Sequence, residues 1–362
     1  MNQKKINIIY FLPANKYPSG GAKAIYHHSN IFNSIDDSYI SSSILHYKKK
    51  YFSKYAESLK KKINIYNHKE ENFGYSFKDF KIVKNFRPNY KWLSSINIKS
   101  KNNLIFNSET DFVIFPEIVS HFAKDICIQN NIKYAILVFG AYHMYQTSNL
   151  YLLNEVYKKA EFLIDISNDT RKCLKNILPK LNKKFYRVNL SVNYSNNKIL
   201  KKKQNLITCM PRKLKDDFHL LKFFLKNRLP KNWKIIDLTN FSNTQIINYL
   251  IKSKIFLSFS NFEGLGLPPL EAALAGNKVI GYTGQAGIEY FKFPIFEKIY
   301  KGDILNYSNK VLYYVQKLEL DKKWHLSRNV KKQRFILLSK YSLKNEIRDL
   351  KSILSYIKKK LN

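Results

Sequence analysis

Residues 254–282 read KIFLSFSNFEGLGLPPLEAALAGNKVIGY, and the folding of this stretch decides how the rest of the chain is read. Ile255 to Phe259 is a short, almost continuously apolar run with polar neighbours, as in a strand buried on both faces of a parallel sheet. Gly264 and Gly266 let the backbone turn, and Pro268-Pro269 presets φ for the first turn of a helix. The spacing predicts a helix from Leu270 to about Ala275, stopped by Gly276, and a second strand from Lys278 to Tyr282. The unit is strand, glycine loop, helix, strand. Open α/β sheets bind ligands at such carboxyl ends. Two carboxylates fall there, Glu263 in the loop and Glu271 in the helix's expected first turn. Loop and helix-start N–H groups favour an anion, whereas carboxylates favour hydroxyls. A ligand with both phosphates and sugar hydroxyls meets both demands. A glutamate near a helix start also offsets the dipole by about 0.3–1 kcal/mol, so the setting of the pair, not its spacing alone, carries the reading.

Working outward, 362 residues suffice for two α/β domains, each with its own core. No apolar run approaches the ~18–20 residues of a membrane span. The apolar run after the N-terminal lysines ends at Pro13 and reads as a first strand, not a leader. Cys127, Cys173 and Cys209 are isolated, which excludes a disulfide framework and a structural zinc site and fits a reducing cytoplasm. Sixty-three Lys plus Arg against 26 Asp plus Glu leave a net charge of +37. Such a field attracts polyanions or anionic membranes, but abundant Lys, Asn, Ile and Tyr also follow from an AT-rich genome. Charge alone therefore does not imply a nucleic-acid partner.

Ile6 to Leu12 is predicted as a strand, residues 13–21 as a loop containing Gly20 and Gly21, and about Ala22 to Ile35 as a helix by its i, i+4, i+7, i+11 apolar spacing. Ile40 to His46 is a second strand. In the basic segment that follows, Tyr51, Phe52, Tyr55, Ala56, Leu59 and Ile63 share one helical arc opposite the lysines. This describes either a helix on an anionic membrane or a core-facing helix with a solvated side. Residues 70–103 read as a variable loop region. Alternation then resumes: strand Asp111 to Phe115, helix His121 to Asn130, strand Tyr134 to Phe139, helix Tyr151 to Ala160, strand Phe162 to Ile166, a helix capped at Ser167, and a short strand from Arg187. Polar residues 196–204 form the expected linker. Strand Asn205 to Met210, helix Leu214 to Asn227, strand Trp233 to Leu238 and helix Thr244 to Ser253 lead into the opening stretch. Residues 283–287 read as a second glycine loop, and two helical patterns run from Lys322 to the end. Alternating strands and helices predict Rossmann-like parallel sheets.

EGLGLPPLEAALAG (263–276) resembles the Glu, seven residues, Glu signature EGFGLPPLEAMACG of the family 4 glycosyltransferases. That resemblance implies the GT-B fold, an α/β architecture of two Rossmann-like domains with parallel sheets facing across a cleft. The boundaries expected are 1–195 for an acceptor-side domain, 196–204 for the linker, 205–340 for a nucleotide-sugar-binding domain, and 341–362 for a final helix packing back towards the first. It further implies that Glu263 contacts donor-sugar hydroxyls and Glu271 the ribose, with Gly264, Leu265, Gly266 and Leu267 lining the donor. Gly20 and Gly21 match the family's N-terminal glycine loop, which implies that they line the donor phosphates and the acceptor side of the cleft. Arg212 and Lys213, with Lys215 the second choice for the lysine, would neutralise the diphosphate. His143 is the best positional match for the family's histidine beside the donor sugar, although GAYHMY departs from the usual motif. His121 fits less well.

The resemblance implies transfer with retention of a hexose-type sugar from a nucleotide-diphosphate donor to a glycan or lipid-linked acceptor. It places the chain in cell-surface polysaccharide or lipopolysaccharide assembly, in the cytoplasm or on the inner membrane face. No cofactor or metal is expected, since Arg212, Lys213 and loop N–H groups take the place of a DxD-bound metal. HExxH, Walker A and GxSxG signatures are absent from the sequence. The rival readings are a non-catalytic basic protein that binds nucleotide sugars or nucleic acid, and another GT-B enzyme such as an epimerase.

Overall fold

Strand β1 (Ile6–Pro13) carries Ile8, Ile9, Tyr10 and Phe11 with almost no exposed surface, as expected of a strand with neighbours on both sides and layers on both faces. The computed structural model describes residues 5–17, 19–35, 38–49, 80–89, 98–146, 150–192 and 199–361. The basic arc over 51–63, parts of the 70–103 region (70–79 and 90–97) and the linker's first residues lie outside them. Contacts divide the chain into two compact units. The first comprises Met1–Ile166, Thr170–Val188 and Ile347–Asn362, the second Ser167–Asp169 and Asn189–Glu346.

The first unit is built on seven strands in the order β3-β2-β1-β4-β5-β6-β7. These are β1, β2 (Ile40–Lys49), β3 (Phe80–Ile82), β4 (Asp111–Pro116), β5 (Lys133–Val138), β6 (Leu163–Asp165) and β7 (Phe185–Arg187). All pairings are parallel except β2 with β3, an antiparallel edge pair whose second strand lies inside the stretch expected to be loop. Its helices are α1 (Gly20–Ser34), α2 (Leu150–Lys159) and α3 (Asn168–Ile177). From Ile347 onwards the last helix belongs to this unit too, with Tyr356 edge-on to Phe162 at 5.2 Å and Lys360 paired with Glu161 at 2.9 Å.

Two sequence expectations fail here for local reasons. The helix expected over 121–130 is instead a 3-10 turn, Glu117–Phe122, followed by a π-helical turn, Lys124–Ile128. Ser120 Oγ donates to the Glu117 carbonyl at 3.0 Å, competing with the α-helical partner, and Val119 leaves helical φ/ψ. The strand expected from Arg187 stops at that residue. Beyond it the Ser191 N–H goes to Glu346 at 3.0 Å and not to a sheet neighbour.

The second unit holds five strands in the order β12-β11-β10-β8-β9, all parallel. They are β8 (Gln204–Cys209), β9 (Lys234–Asp237), β10 (Ser253–Glu263), β11 (Lys278–Gln285) and β12 (Phe296–Lys298). Helices α4 (Lys215–Leu225), α5 (Asn243–Lys252), α6 (Leu267–Leu274), α7 (Ile304–Leu320), α8 (Arg328–Lys340) and α9 (Leu343–Leu361) complete it, α9 passing into the first unit. Strand β10 runs four residues past the expected end at Phe259. Ser260 pairs with Thr283; the strand then skips a register position and rejoins β11 at Glu263 opposite Gln285. The expected glycine loop over 283–287 is therefore largely strand, and only from Ala286 does the chain turn. No described helix is long and apolar enough to cross a membrane.

Candidate functional site

In the second unit the chain places β9 on one side of β8 and then returns to lay β10, β11 and β12 on the other. The order thus reverses between β8 and β10, and the carboxyl ends of these two strands open the crevice where doubly wound sheets hold ligands. Residues 210–213 follow β8, with the Leu214 N–H closing a turn onto the Pro211 carbonyl at 2.8 Å. The turn leaves Arg212 and Lys213 exposed at the crevice. Glu263 ends β10, so it is a strand residue and not the loop residue expected. Its Oε1 lies 2.7 Å from Lys213 Nζ, both side chains about one-third exposed (32% and 34%). Lys213 also reaches the Asn261 carbonyl at 3.4 Å.

The segment between Glu263 and α6 is held from beneath. Gly266 has φ +76°, a left-handed conformation that favours glycine, and its carbonyl accepts the Tyr290 hydroxyl at 2.5 Å. Leu265 is anchored in the core, so only its main chain can face a ligand. Leu267 opens α6, which puts Glu271 in the second turn, not the first; an earlier helix start accounts for the difference. Burial pushes the Tyr290 phenol far above its usual range, and the charges of Tyr341, Glu263, Glu271 and Glu289 push the same way. A Cβ on Gly266 would lie 3.0 Å from the Tyr290 hydroxyl and 3.9 Å from Glu263 Cβ, so the structure brings Glu263, Gly266 and Lys213 to one place, with Gly264 between them in the chain and Glu271 following in the adjoining helix. Arg212 lies on the same turn as Lys213, with no ion-pair partner among the described residues.

In the first unit the order reverses between β1 and β4. Gly20 and Gly21 are the first residues of α1 and not the loop before it, because Ser19 caps the helix by accepting the Ala22 N–H at 3.3 Å. His143 lies half-buried in a 3-10 turn, Ala141–Gln146, just past β5, its N–H on the Gly140 carbonyl at 3.0 Å. His121 packs on Phe122 and is buried.

Sequence reasoning missed Glu117. It follows β4 and is 4% exposed, and its two oxygens accept the Phe139 and Gly140 N–H groups, each at 3.0 Å. Burial pushes its carboxyl up to about 7, while these main-chain N–H groups pull it down. A Pro-Glu pair at a strand's carboxyl end was the available signal. Gln285 was missed too: its Oε1 accepts the Phe262 N–H at 2.9 Å across the register skip. No cluster of three or more His, Cys, Asp or Glu among the described residues is arranged to hold a metal ion.

No protein-family model matches the sequence, and no curated protein matches it. Solved structures do. TarM superposes with a TM-score of 0.62 at 13% identity over 99% of each chain. Sucrose-phosphate synthase from Thermosynechococcus elongatus gives 0.62 at 9% identity over 97% of this chain and 99% of its own. The fold is GT-B. Another GT-B structure, Anabaena HepE in complex with UDP, gives 0.61 at 9% identity over 97% and 100%. A mutant of S. aureus TarM in complex with Fondaparinux, alpha-GlcNAc-glycerol and UDP gives 0.51 at 16% identity; this chain covers 60% of its length. At these identities the likeness establishes two Rossmann-like domains of the GT-B kind and nothing finer.

Proposed function

We propose that this chain is a retaining, family 4-type glycosyltransferase that moves a hexose-type sugar from a nucleotide-diphosphate donor to a glycan or lipid-linked acceptor. The observation that carries the reading is the Lys213–Glu263 pair at the strand-order reversal, with Glu271 eight residues on in the adjoining helix. The fold neighbours support it: TarM and HepE are both in complex with UDP.

The chemistry breaks the bond from the anomeric carbon to the diphosphate, leaving negative charge on phosphate and oxocarbenium character on the sugar. An ammonium has three protons. Glu263 and the Asn261 carbonyl take two from Lys213, so the third can meet a phosphate oxygen. Arg212, exposed beside it, presents a planar fork suited to two oxygens at once. Positioned charge of this kind lowers the barrier where charge develops, and these residues would serve the diphosphate without a metal. Glu263 Oε2 and the Glu271 carboxylate accept hydroxyls of the sugar and ribose. The first unit takes the acceptor, with Gly20 and Gly21 lining the donor phosphates and the acceptor side and His143 beside the donor sugar. A role in cell-surface glycan assembly on the cytoplasmic membrane face follows from the family resemblance and the charge of +37.

A binding protein without turnover is the rival reading. Thermal shifts with UDP-, GDP-, dTDP- and CMP-sugars, followed by nucleotide release, separate the two. The expectation is stabilisation by one donor class and turnover that drops at least about 100-fold in Glu263→Ala, with the unfolding transition retained. Equal turnover in that variant removes Glu263 from the site, and donor binding without any release favours the rival.

A further inference from the structure

We infer that Glu117 is a positioning residue, whose carboxylate fixes the turn carrying His143 and the ring beneath Gly21. The inference rests on the glycosyltransferase reading for its effect on turnover, but its geometry stands apart from it. Strand β5 ends at Val138, and the next two N–H groups, of Phe139 and Gly140, have no strand to bond. Glu117, at the end of neighbouring β4, supplies one oxygen to each at 3.0 Å. The Gly140 carbonyl then accepts the His143 N–H at 3.0 Å. A Cβ on Gly140 would lie 3.4 Å from the His143 ring and 3.9 Å from Glu117 Oε1, so imidazole and carboxylate flank the same glycine. Phe139 reaches the other way: a Cβ on Gly21 would meet its ring at 3.2 Å. One carboxylate thus ties together the end of β4, the turn after β5 and the start of α1.

The choice of glutamate has a chemical reason. Two N–H donors point at one side chain, and only an ionised carboxylate, the form Glu117 takes above about pH 7, offers two acceptor atoms and no donor. Glutamine keeps the shape but turns an NH2 towards one of those N–H groups, so Glu117→Gln breaks one bond and adds a donor–donor contact. Burying the charge is unfavourable, and a site needing only shape would do better with a neutral residue.

The test is a double-mutant cycle on the full chain with the donor found in the screen, reading kcat, KM and the His143 ring resonance by NMR. In Glu117→Gln we expect kcat to fall at least tenfold with donor KM within twofold, because the nucleotide is held by the second unit. In the His143→Ala background the same substitution should cost less than twofold, since its effect passes through the His143 turn. Multiplicative losses in the double variant, or a kcat in Glu117→Gln within twofold of wild type, overturn the inference. Should wild type transfer no sugar, the glycosyltransferase reading fails and the spectrum decides alone. A His143 resonance displaced in Glu117→Gln, with His219 and His325 unmoved, upholds the positioning role; an unmoved His143 refutes it.

Discussion

Replacing Gly284 by alanine tests how tightly the end of β10 is held. Gly284 has φ +60°, and a Cβ there would lie 2.6 Å from Ser260 Cβ, 3.2 Å from the Ser260 carbonyl carbon and 3.3 Å from Glu263 Cγ. Two costs add. The left-handed conformation costs an alanine roughly 1–2 kcal/mol, and relieving contact with a β-sheet backbone costs about 1–3 kcal/mol, giving roughly 2–5 kcal/mol in all. Gly302 is the control: φ is +87°, but nothing lies within 4 Å of its Cβ position, so Gly302→Ala should show only the first cost, roughly 1–2 kcal/mol. Urea unfolding followed by Trp233 and Trp324 fluorescence, both in the second unit, in a Trp92→Phe background measures the difference. The strand that must move carries Glu263, so turnover should fall in Gly284→Ala and hold in Gly302→Ala. If the two variants lose the same stability to within about 0.5 kcal/mol, the close approach of β11 to Ser260 is wrong.

Tyr290→Phe removes the 2.5 Å hydrogen bond to the Gly266 carbonyl in a buried setting; a loss of about 1–3 kcal/mol with weaker donor binding is expected, read by unfolding and calorimetry. Glu117 supplies a pH signature. Its carboxyl is raised from 4.5 to about 7 in the folded state, so its contribution is fully present below 4.5 and is lost as pH rises through 7. At about 1.4 kcal/mol per pH unit, the stability of wild type relative to Glu117→Gln should fall by roughly 3 kcal/mol across that window. A flat difference between pH 4.5 and 7.5 in urea titrations would show that the carboxyl is not raised.

The β10–α6–β11 unit was legible because glycine, proline and apolar run coincide in one short stretch, and local chemistry specifies such a unit without help from distant residues. What escaped depends on partners far along the chain. Strand β10 continues to Glu263 only because Thr283 and Gln285 lie alongside it, and nothing between residues 259 and 263 announces that. Glu117 is an ordinary exposed-looking residue in sequence; its burial follows from β5 arriving beside β4. Helix α7 is the opposite case. No element is expected there, yet Tyr307, Val311, Tyr314, Val315 and Leu318 repeat with helical spacing behind an Asp303 cap. Tyrosines on the buried face blur the polar–apolar contrast on which periodicity depends. At the site, residue identities were legible while their mounting was not: Glu263 on a strand, Glu271 one turn deeper, Gly20 and Gly21 inside a helix.

Strand β10 is the middle strand of its sheet, flanked by β8 and β11. A carboxylate at the tip of such a strand is pre-organised when the chain folds, so capturing a ligand there sacrifices little conformational freedom. Of the neighbouring residues, Leu265 is buried and Gly266 is left-handed and bonded to Tyr290, which leaves Gly264 as the position of the turn with the fewest such ties. Evolution of a new ligand preference in this chain would accordingly work through Gly264 and the residues facing the acid from other elements, leaving the acid untouched.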